Sequence, residues 1–317
     1  MNNNALRQDH DFGITTLDTG FMRPFFAASH LLVENQHATY IDTGTSYSVP
    51  RLLDALNQKN IPIENVDYVI VTHVHLDHAG GAGKLMHALP NAHLVVHPRG
   101  ARHMINPTKL IASATTVYGE DTFQALYGDI VPVSAKRVIQ PKNGQVIDFK
   151  GRPLQFLDTP GHARHHFCIF DERSKSFFTG DAFGISYRDF DTPQGAFIFP
   201  ATTPVQFEPE AMHDSINCLL SYQPEKMYLT HYGEITDLPR LAEQLHEGID
   251  KQVSLIKSVA DKGNPERHTL LSEQMMNYFL QQLQQLGCTL PPEKCRELLA
   301  TDIELNTQGL EIWWDKK

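Results

Sequence analysis

Side chains that commonly bind metal ions are concentrated in one short stretch of this chain. An apolar run there predicts a buried strand from Tyr68 to Val71. Three histidines and one aspartate follow within six positions: His73, His75, Asp77 and His78. If the chain stays extended beyond the strand, alternate residues point to the same side, so the first three would converge. Imidazole nitrogens and carboxylate oxygens are ligands that zinc and similar divalent metals accept.

The clustering of these histidines matters more than their number. The chain contains 17 histidines, so a single one carries little information. Three histidines and an aspartate at the end of one strand are much less expected from composition. We therefore interpret the segment as a candidate metal site.

The order His-x-His-x-Asp-His after a strand, with Gly80, Gly81 and Gly83 following, resembles the metallo-β-lactamase-fold superfamily. This resemblance implies an α/β fold, the αββα sandwich, with metal ions at one edge between its two sheets. It also implies three later ligands, each at a strand end: a lone histidine, a bridging aspartate and a final histidine.

Three further motifs match this expectation in order. Predicted strands at 154–157, 176–179 and 226–229 are followed by Thr-Pro-Gly-His-Ala, Gly-Asp-Ala-Phe-Gly and Thr-His-Tyr-Gly. These motifs place the expected ligands at His162, Asp181 and His231. The combination is similar to a prokaryotic branch of the superfamily whose substrates are not defined.

The resemblance further implies which of the seven residues bind each of two metal ions. His73, His75 and His162 would hold one metal ion, Asp77, His78 and His231 would hold a second, and Asp181 would bridge them. Asp77 and Asp181 are therefore the candidate catalytic carboxylates, and a hydroxide between the ions would be the nucleophile.

Residues next to the motifs are assigned supporting roles. Asp42 ends a predicted strand and is expected to support the histidine loop, although an aspartate before Thr-Gly also suits a turn. His166 is expected beside the ligands, whereas His165 is expected to be exposed.

The metal and the reaction are less closely defined than the ligands. Five imidazoles and two carboxylates without a thiolate suit zinc, iron and manganese. We expect two divalent ions, with zinc favoured, in a hydrolase of a small ester, thioester, lactone or phosphoester. The alternative is a di-iron protein that binds, senses or reduces oxygen, which Gly-Asp-Ala-Phe-Gly resembles. That branch usually has Glu where this chain has His75, which weakens the alternative.

The composition limits the kinds of molecule that the protein is expected to bind. The 317 residues carry a net charge of −10, which argues against a broad nucleic-acid surface. No apolar run approaches the length of a membrane span, and the first residues do not resemble a signal peptide. The four cysteines are scattered, as expected for reduced thiols in the cytoplasm. We expect a cytoplasmic protein with a small-molecule substrate.

The residue patterns predict two regions. Residues 10–262 are assigned to the catalytic domain and residues 263–317 to a mainly helical C-terminal module, which would cover the cleft or form a homodimer contact. Alternating apolar residues from Asn306 to Trp314 predict a final strand. The aromatic-rich segment 185–204 is predicted to be a loop beside the active site.

Overall fold

The computed structural model describes residues 7–317, apart from the side chains of residues 117 and 118. This part of the chain forms two compact units. The first comprises the chain up to Asp158, His165–Gly180 and Pro224–Glu234, and the second comprises Thr159–Arg164, Asp181–Gln223 and Ile235–Lys317. Within the described residues, none of the helices combines the length and hydropathy needed to span a membrane.

Strands and helices alternate along much of the chain. The strands are β1 (Arg7–Asp9), β2 (Ile14–Asp18), β3 (Ala28–Glu34), β4 (His37–Ile41), β5 (Val66–Val71), β6 (His93–Val96), β7 (Val138–Ile139), β8 (Val146–Phe149), β9 (Arg152–Asp158), β10 (Phe167–Asp171), β11 (Ser176–Gly180), β12 (Lys226–Leu229) and β13 (Gly233–Ile235). The helices are α1 (Val49–Gln58), α2 (Leu76–Ala79), α3 (Ala82–Ala88), α4 (Pro98–Ile105), α5 (Thr108–Tyr118), α6 (Glu120–Tyr127), α7 (Pro209–Ser221), α8 (Leu238–Ser258), α9 (Glu266–Gln285) and α10 (Pro292–Trp314).

The first sheet has the order β1-β2-β3-β4-β5-β6-β7. Strands β3 and β4 form a hairpin, in which Glu34 pairs with His37. The two residues between them, Asn35 and Gln36, have φ values of 49° and 62°. Positive φ at both central positions defines the tight turn whose twist matches antiparallel strands. Strands β4, β5 and β6 are parallel, so the chain that follows each of them emerges at the same sheet edge.

The second sheet has the order β13-β12-β11-β10-β9-β8. Strand β10 is antiparallel to both β9 and β11, and β11 is parallel to β12. Strands β9, β11 and β12 therefore run in one direction and end at one edge. The three later predicted ligands, His162, Asp181 and His231, all follow these three strands in sequence.

The core of the first unit lies between the sheets. Ile41, Ile70 and Val95 of the first sheet belong to one buried cluster with Phe156 and Phe178 of the second. A second buried cluster lies on the other face of the first sheet and includes residues of α1, α3 and α4. This packing explains why the central parallel strands are apolar on both faces.

The second unit corrects the prediction of a final strand. Residues 306–314 lie in α10, whose buried positions include Leu298, Leu299, Ile303 and Leu310. Leu299, Ile303 and Leu310 recur at helical intervals of four and seven residues. The alternation in the last turns of the helix resembled a strand only when it was considered apart from the preceding residues.

The segment 185–204 contributes to the core of the second unit. Tyr187, Phe190, Phe197 and Phe199 are each no more than 1% exposed. The ring of Phe199 lies 5.0 Å from that of Phe279 on α9. Because these aromatic side chains are buried, they pack in the core of this unit, while the segment itself is largely loop, as predicted.

An ionic cluster between α9 and α10 predicts a pH-dependent contribution to stability. The ring of His268 lies between Glu311 and Glu304, with N–O distances of 3.0 and 3.1 Å. Burial lowers the pKa of His268, but the hydrogen bonds and charges of Glu311 and Glu304 outweigh it and raise the pKa above 6.5. Since the folded pKa exceeds the unfolded one, the stabilisation is complete below pH 6.5 and is lost as the pH rises through the folded value.

We expect His268→Gln to lower the free energy of unfolding by up to about 1 kcal/mol at pH 5.5, because the contact is partly exposed. The difference from wild type should shrink towards pH 9. Urea unfolding of the wild type and of His268→Gln across this pH range measures the difference. Subtracting the two free energies of unfolding cancels the contributions of the other titrating groups. A difference that is constant with pH would contradict the expectation.

Candidate metal centre

The histidine motif begins where β5 leaves the first sheet. Thr72 is the first residue after the strand, and His73 is fully buried. The backbone stays extended at His75, but α2 begins at Leu76 and ends at Ala79. Asp77 and His78 are therefore on a helical turn, so Asp77 does not share one extended face with His73 and His75. The rings of these two histidines lie 4.5 Å apart.

The turn of α2 places Asp77 and His78 beside His231, which follows β12. The Asp77 carboxylate oxygen Oδ2 lies 3.1 Å from Nε2 of His231 and 3.5 Å from Nε2 of His78. One ligand atom from each residue lies within 4.8 Å of the other two. Two imidazoles and a carboxylate at this spacing form a donor set that suits a divalent metal ion.

In both imidazoles of this trio, the Nδ1 atom is within hydrogen-bond distance of a fixed oxygen. Nδ1 of His231 lies 2.7 Å from the carbonyl oxygen of Phe26, and Nδ1 of His78 lies 2.8 Å from Oδ2 of Asp42. Donating the Nδ1 proton to a fixed acceptor sets the tautomer with Nε2 as the basic nitrogen. That nitrogen is directed at Asp77 in both residues, as a shared metal ion would require.

Asp42 joins three of the strand ends that surround this trio. It is fully buried and accepts hydrogen bonds from the backbone and hydroxyl of Thr72, from His78 and from the hydroxyl of Thr230. The Thr230 Oγ1 distance to Asp42 Oδ2 is 2.7 Å. The predicted supporting role of Asp42 is therefore matched by its contacts, which the alternative of a simple turn residue would not require.

His165 differs from its expected exposure. It is half-buried, and its ring lies 5.7 Å from that of His75 and 6.2 Å from that of His73. His166 is buried and stacks on His73 at 4.9 Å. Both histidines therefore border the candidate ligands. Proximity in sequence to His162 was the only signal for His165, and it could not show which way the ring pointed.

The second unit holds His162 and Asp181. Nδ1 of His162 lies 2.9 Å from the carbonyl oxygen of Ala201, and its Nε2 lies 3.4 Å from Oδ2 of Asp181. Both side chains are buried, with exposures of 1% and 5%. The arrangement repeats that of His78 and His231, since a fixed acceptor holds Nδ1 and Nε2 faces a carboxylate.

Glycine is required before each of these two residues because a larger side chain would clash with its neighbours. Gly180 has a φ of +49°, and a Cβ there would lie 2.5 Å from Oγ1 of Thr72 and 2.7 Å from Nε2 of His166. Gly161 has a φ of +128°, and its Cβ would lie 2.4 Å from the Cα of Met212. The Gly-His and Gly-Asp pairs thus reflect both backbone conformation and close contacts.

A further buried histidine supports the end of β12. Complete burial lowers the pKa of His30 to about 4, so the ring is neutral at pH 7. Its Nε2 lies 3.1 Å from the carbonyl oxygen of Leu229, and its Nδ1 lies 3.2 Å from Oγ1 of Thr16. A neutral ring can donate to the carbonyl and accept from the hydroxyl at the same time. No motif in the sequence indicated this role for His30.

Comparison with known proteins agrees with this architecture. The profile of the Metallo-beta-lactamase superfamily matches residues 22–231, which is more than half of the chain. A metallo-beta-lactamase fold-containing protein of Sulfurisphaera tokodaii is 24% identical over 224 residues, covering 70% of this chain and 77% of that protein. An acyl-coenzyme A thioesterase of Gallus gallus is 32% identical over 116 residues, covering 35% of this chain and 40% of the thioesterase.

A solved structure extends the likeness to the whole fold. The crystal structure of an archaeal metallo-beta-lactamase superfamily protein from Sulfolobus tokodaii matches with a TM-score of 0.66 at 22% identity. The match covers 94% of this chain and 98% of that protein. Together with the two sheets and the sequence match, this shows that the chain belongs to the metallo-beta-lactamase superfamily.

Proposed function

We propose that the protein is a metal-dependent hydrolase with a binuclear centre. The observation that carries the proposal is the trio Asp77, His78 and His231, in which both histidine Nε2 atoms face one carboxylate oxygen. The superfamily match spans all seven proposed ligands. The first ion would be held by His73, His75 and His162, the second by the trio, and Asp181 would bridge the two.

The chain's own residues have defined tasks in this proposal. Asp42 and the carbonyl of Phe26 hold the imidazoles of His78 and His231 so that they need not reorient when a metal binds. The carbonyl of Ala201 does the same for His162. Asp77, which is half-buried, would orient the attacking water through its carboxylate. Bound divalent ions would supply a water acidified to a pKa of roughly 7 and a Lewis acid for the substrate oxygen.

The substrate class follows from what such a centre can activate. It comprises small esters, thioesters, lactones and phosphoesters, because each has an electrophilic carbon or phosphorus next to an oxygen that a metal can polarise. The similarity to an acyl-coenzyme A thioesterase supports the inclusion of thioesters. A net charge of −10 supports a small molecule in preference to a nucleic acid.

Two further assignments belong to this proposal. Residues 10–262 would form the catalytic domain, and residues 263–317 a helical module that covers the cleft or mediates a homodimer. The boundary falls in the short connection between α8 and α9. Four cysteines that are all free thiols agree with a cytoplasmic location.

The proposal is tested by metal content and turnover measured on the same preparation. Protein purified anaerobically without added metal should contain about two zinc ions per chain by mass spectrometry, and it should hydrolyse members of an ester, thioester, lactone and phosphodiester panel. Chelation should abolish turnover, and zinc should restore it. Two iron ions per chain, with an absorption change in air and no hydrolysis, would instead support the oxygen-binding alternative. Less than one metal ion of any kind would contradict the binuclear assignment.

A further inference from the structure

Two histidines of the second unit meet where α7 packs against α8. His213 follows the buried Met212 on α7, and His246 follows the buried Leu245 on α8. Both histidines are half-buried, at the border of the buried faces of the two helices. Neither belongs to the seven proposed ligands, and the proposed function gives them no task.

The two imidazole rings face each other edge to edge. Nδ1 of His213 lies 2.6 Å from Nδ1 of His246, and the ring planes differ by 15°. The ring centres are 4.9 Å apart, which is close to the Nδ1–Nδ1 distance plus the two ring radii. The two nitrogens therefore point at each other in nearly one plane. At least one of them must present a lone pair, since two N–H groups would repel each other.

A carboxylate sets the tautomer of one of the rings. Oδ1 of Asp250 lies 3.2 Å from Nε2 of His213. An Nε2–H group that donates to this oxygen leaves Nδ1 of His213 as the basic nitrogen. Asp250 comes four residues after His246 on α8, so helical spacing places both side chains on the face that meets His213.

The ring of His246 can present a lone pair to the same point. Burial, together with repulsion from His213, lowers the pKa of His246, although the charge of Asp250 acts against this change. The ring is therefore neutral at pH 7, and a neutral ring can carry its proton on Nε2 in place of Nδ1. Both Nδ1 atoms then present lone pairs between the helices, which is the donor arrangement of a metal ion bound by two imidazoles.

We propose that His213 and His246 bind a divalent transition-metal ion, such as zinc, through their Nδ1 atoms. Water would complete the coordination, and Asp250 would hold the ring of His213 from its other nitrogen, as carboxylates do for zinc-bound histidines. Tetrahedral ligands at about 2.0–2.1 Å from zinc are roughly 3.4 Å apart, so the two nitrogens must separate by roughly 0.8 Å. The side chain of His213 is 25% exposed, which leaves room for this movement.

The test is a calorimetric titration of zinc into protein that already contains its tightly bound zinc. The wild type should bind about one further zinc ion per chain, and His213→Gln and His246→Gln should lose this binding. Glutamine is uncharged and favours helices at least as well as histidine, so both variants should fold. His87→Gln is the matched control, because His87 is an exposed histidine on another helix, α3. It should bind the further zinc as the wild type does.

Two more measurements separate a metal site from a contact that only joins the helices. Asp250→Ala should weaken the further zinc about tenfold, the low end for such partners, because Asp250 is 79% exposed. Further zinc should raise the urea midpoint of the wild type and of His87→Gln, but not that of the two ligand variants.

The inference is overturned if the wild type binds no further zinc, or if both ligand variants retain it. A urea midpoint that responds to zinc equally in all four proteins would also contradict it, as would ligand variants that lose stability without any dependence on zinc in the wild type. Each outcome is a difference between matched proteins, so it decides the inference whether or not the proposed binuclear centre holds two ions.

Discussion

Replacing Asp42 by alanine is expected to lower the free energy of unfolding by about 3–5 kcal/mol. The carboxylate is fully buried and accepts hydrogen bonds from Thr72, His78 and Thr230. Truncation leaves these donors buried without their acceptor, and each such group typically costs about 1–3 kcal/mol. Metal affinity should also fall by roughly ten- to a hundredfold, because His78 loses the group that fixes its tautomer.

Urea unfolding and metal titration of Asp42→Ala, Asp42→Asn and wild type measure these effects. The asparagine variant preserves volume but places an amide N–H₂ where one carboxylate oxygen accepted. Its stability and metal affinity should therefore lie between those of the wild type and Asp42→Ala. Asp54→Ala is the control, because Asp54 is exposed on α1 and its loss should change stability by less than about 0.5 kcal/mol. An Asp42→Ala protein with wild-type stability and metal affinity would show that the buried network contributes little.

Replacing Asp181 by alanine is expected to reduce kcat/KM by on the order of 10³ while the protein remains folded. A bridging carboxylate would hold both ions at the distance needed to act on one substrate, and metal catalysis is worth several kcal/mol of transition-state stabilisation. Each 1.36 kcal/mol of that stabilisation corresponds to a factor of ten in rate. His73→Ala should have a comparable effect, since it removes a ligand of the first ion.

Asp158 supplies the matched control for this experiment. It also ends a strand, β9, but its side chain is 46% exposed and its Oδ1 lies 3.3 Å from Nε2 of His97. Asp158→Ala should retain kcat/KM within about twofold, as is usual for partly exposed positions outside a site. Metal analysis of each variant should show loss of ions from Asp181→Ala and His73→Ala alone. Undiminished turnover in either ligand variant would overturn the seven-residue assignment.

The strands that carry the candidate site could be predicted from sequence because their signals are local. Each is a short apolar run that ends in a motif of characteristic residue types, such as Gly-Asp or Thr-His. Metal coordination tolerates few side chains, so chemistry restricts these positions more strongly than packing restricts a core residue. The hairpin at Asn35 and Gln36 is likewise a local feature, since it depends on the turn itself.

Segments that depend on distant partners were not predictable in the same way. Residues 306–314 continue the helix α10, in which Asn306 donates to the carbonyl of Pro200 and accepts from the amide of Thr202, more than 100 residues away in the sequence. The aromatic residues of 185–204 are buried against α9, which begins more than 60 residues later. A loop rich in aromatic rings has the same composition whether it forms a core or lines a binding site.

The sequence by itself determined the superfamily, the order of the strands that end in candidate ligands, and the chemical type of each ligand. Only the tertiary structure decided which partner holds each ligand, such as the carbonyl of Phe26 behind His231 and Asp42 between Thr72 and Thr230. It also decided that His165 borders the candidate ligands and that His213 meets His246. The reason is physical. Local patterns encode residue chemistry and periodicity, whereas hydrogen-bond partners and exposure are set by contacts between residues far apart in the chain.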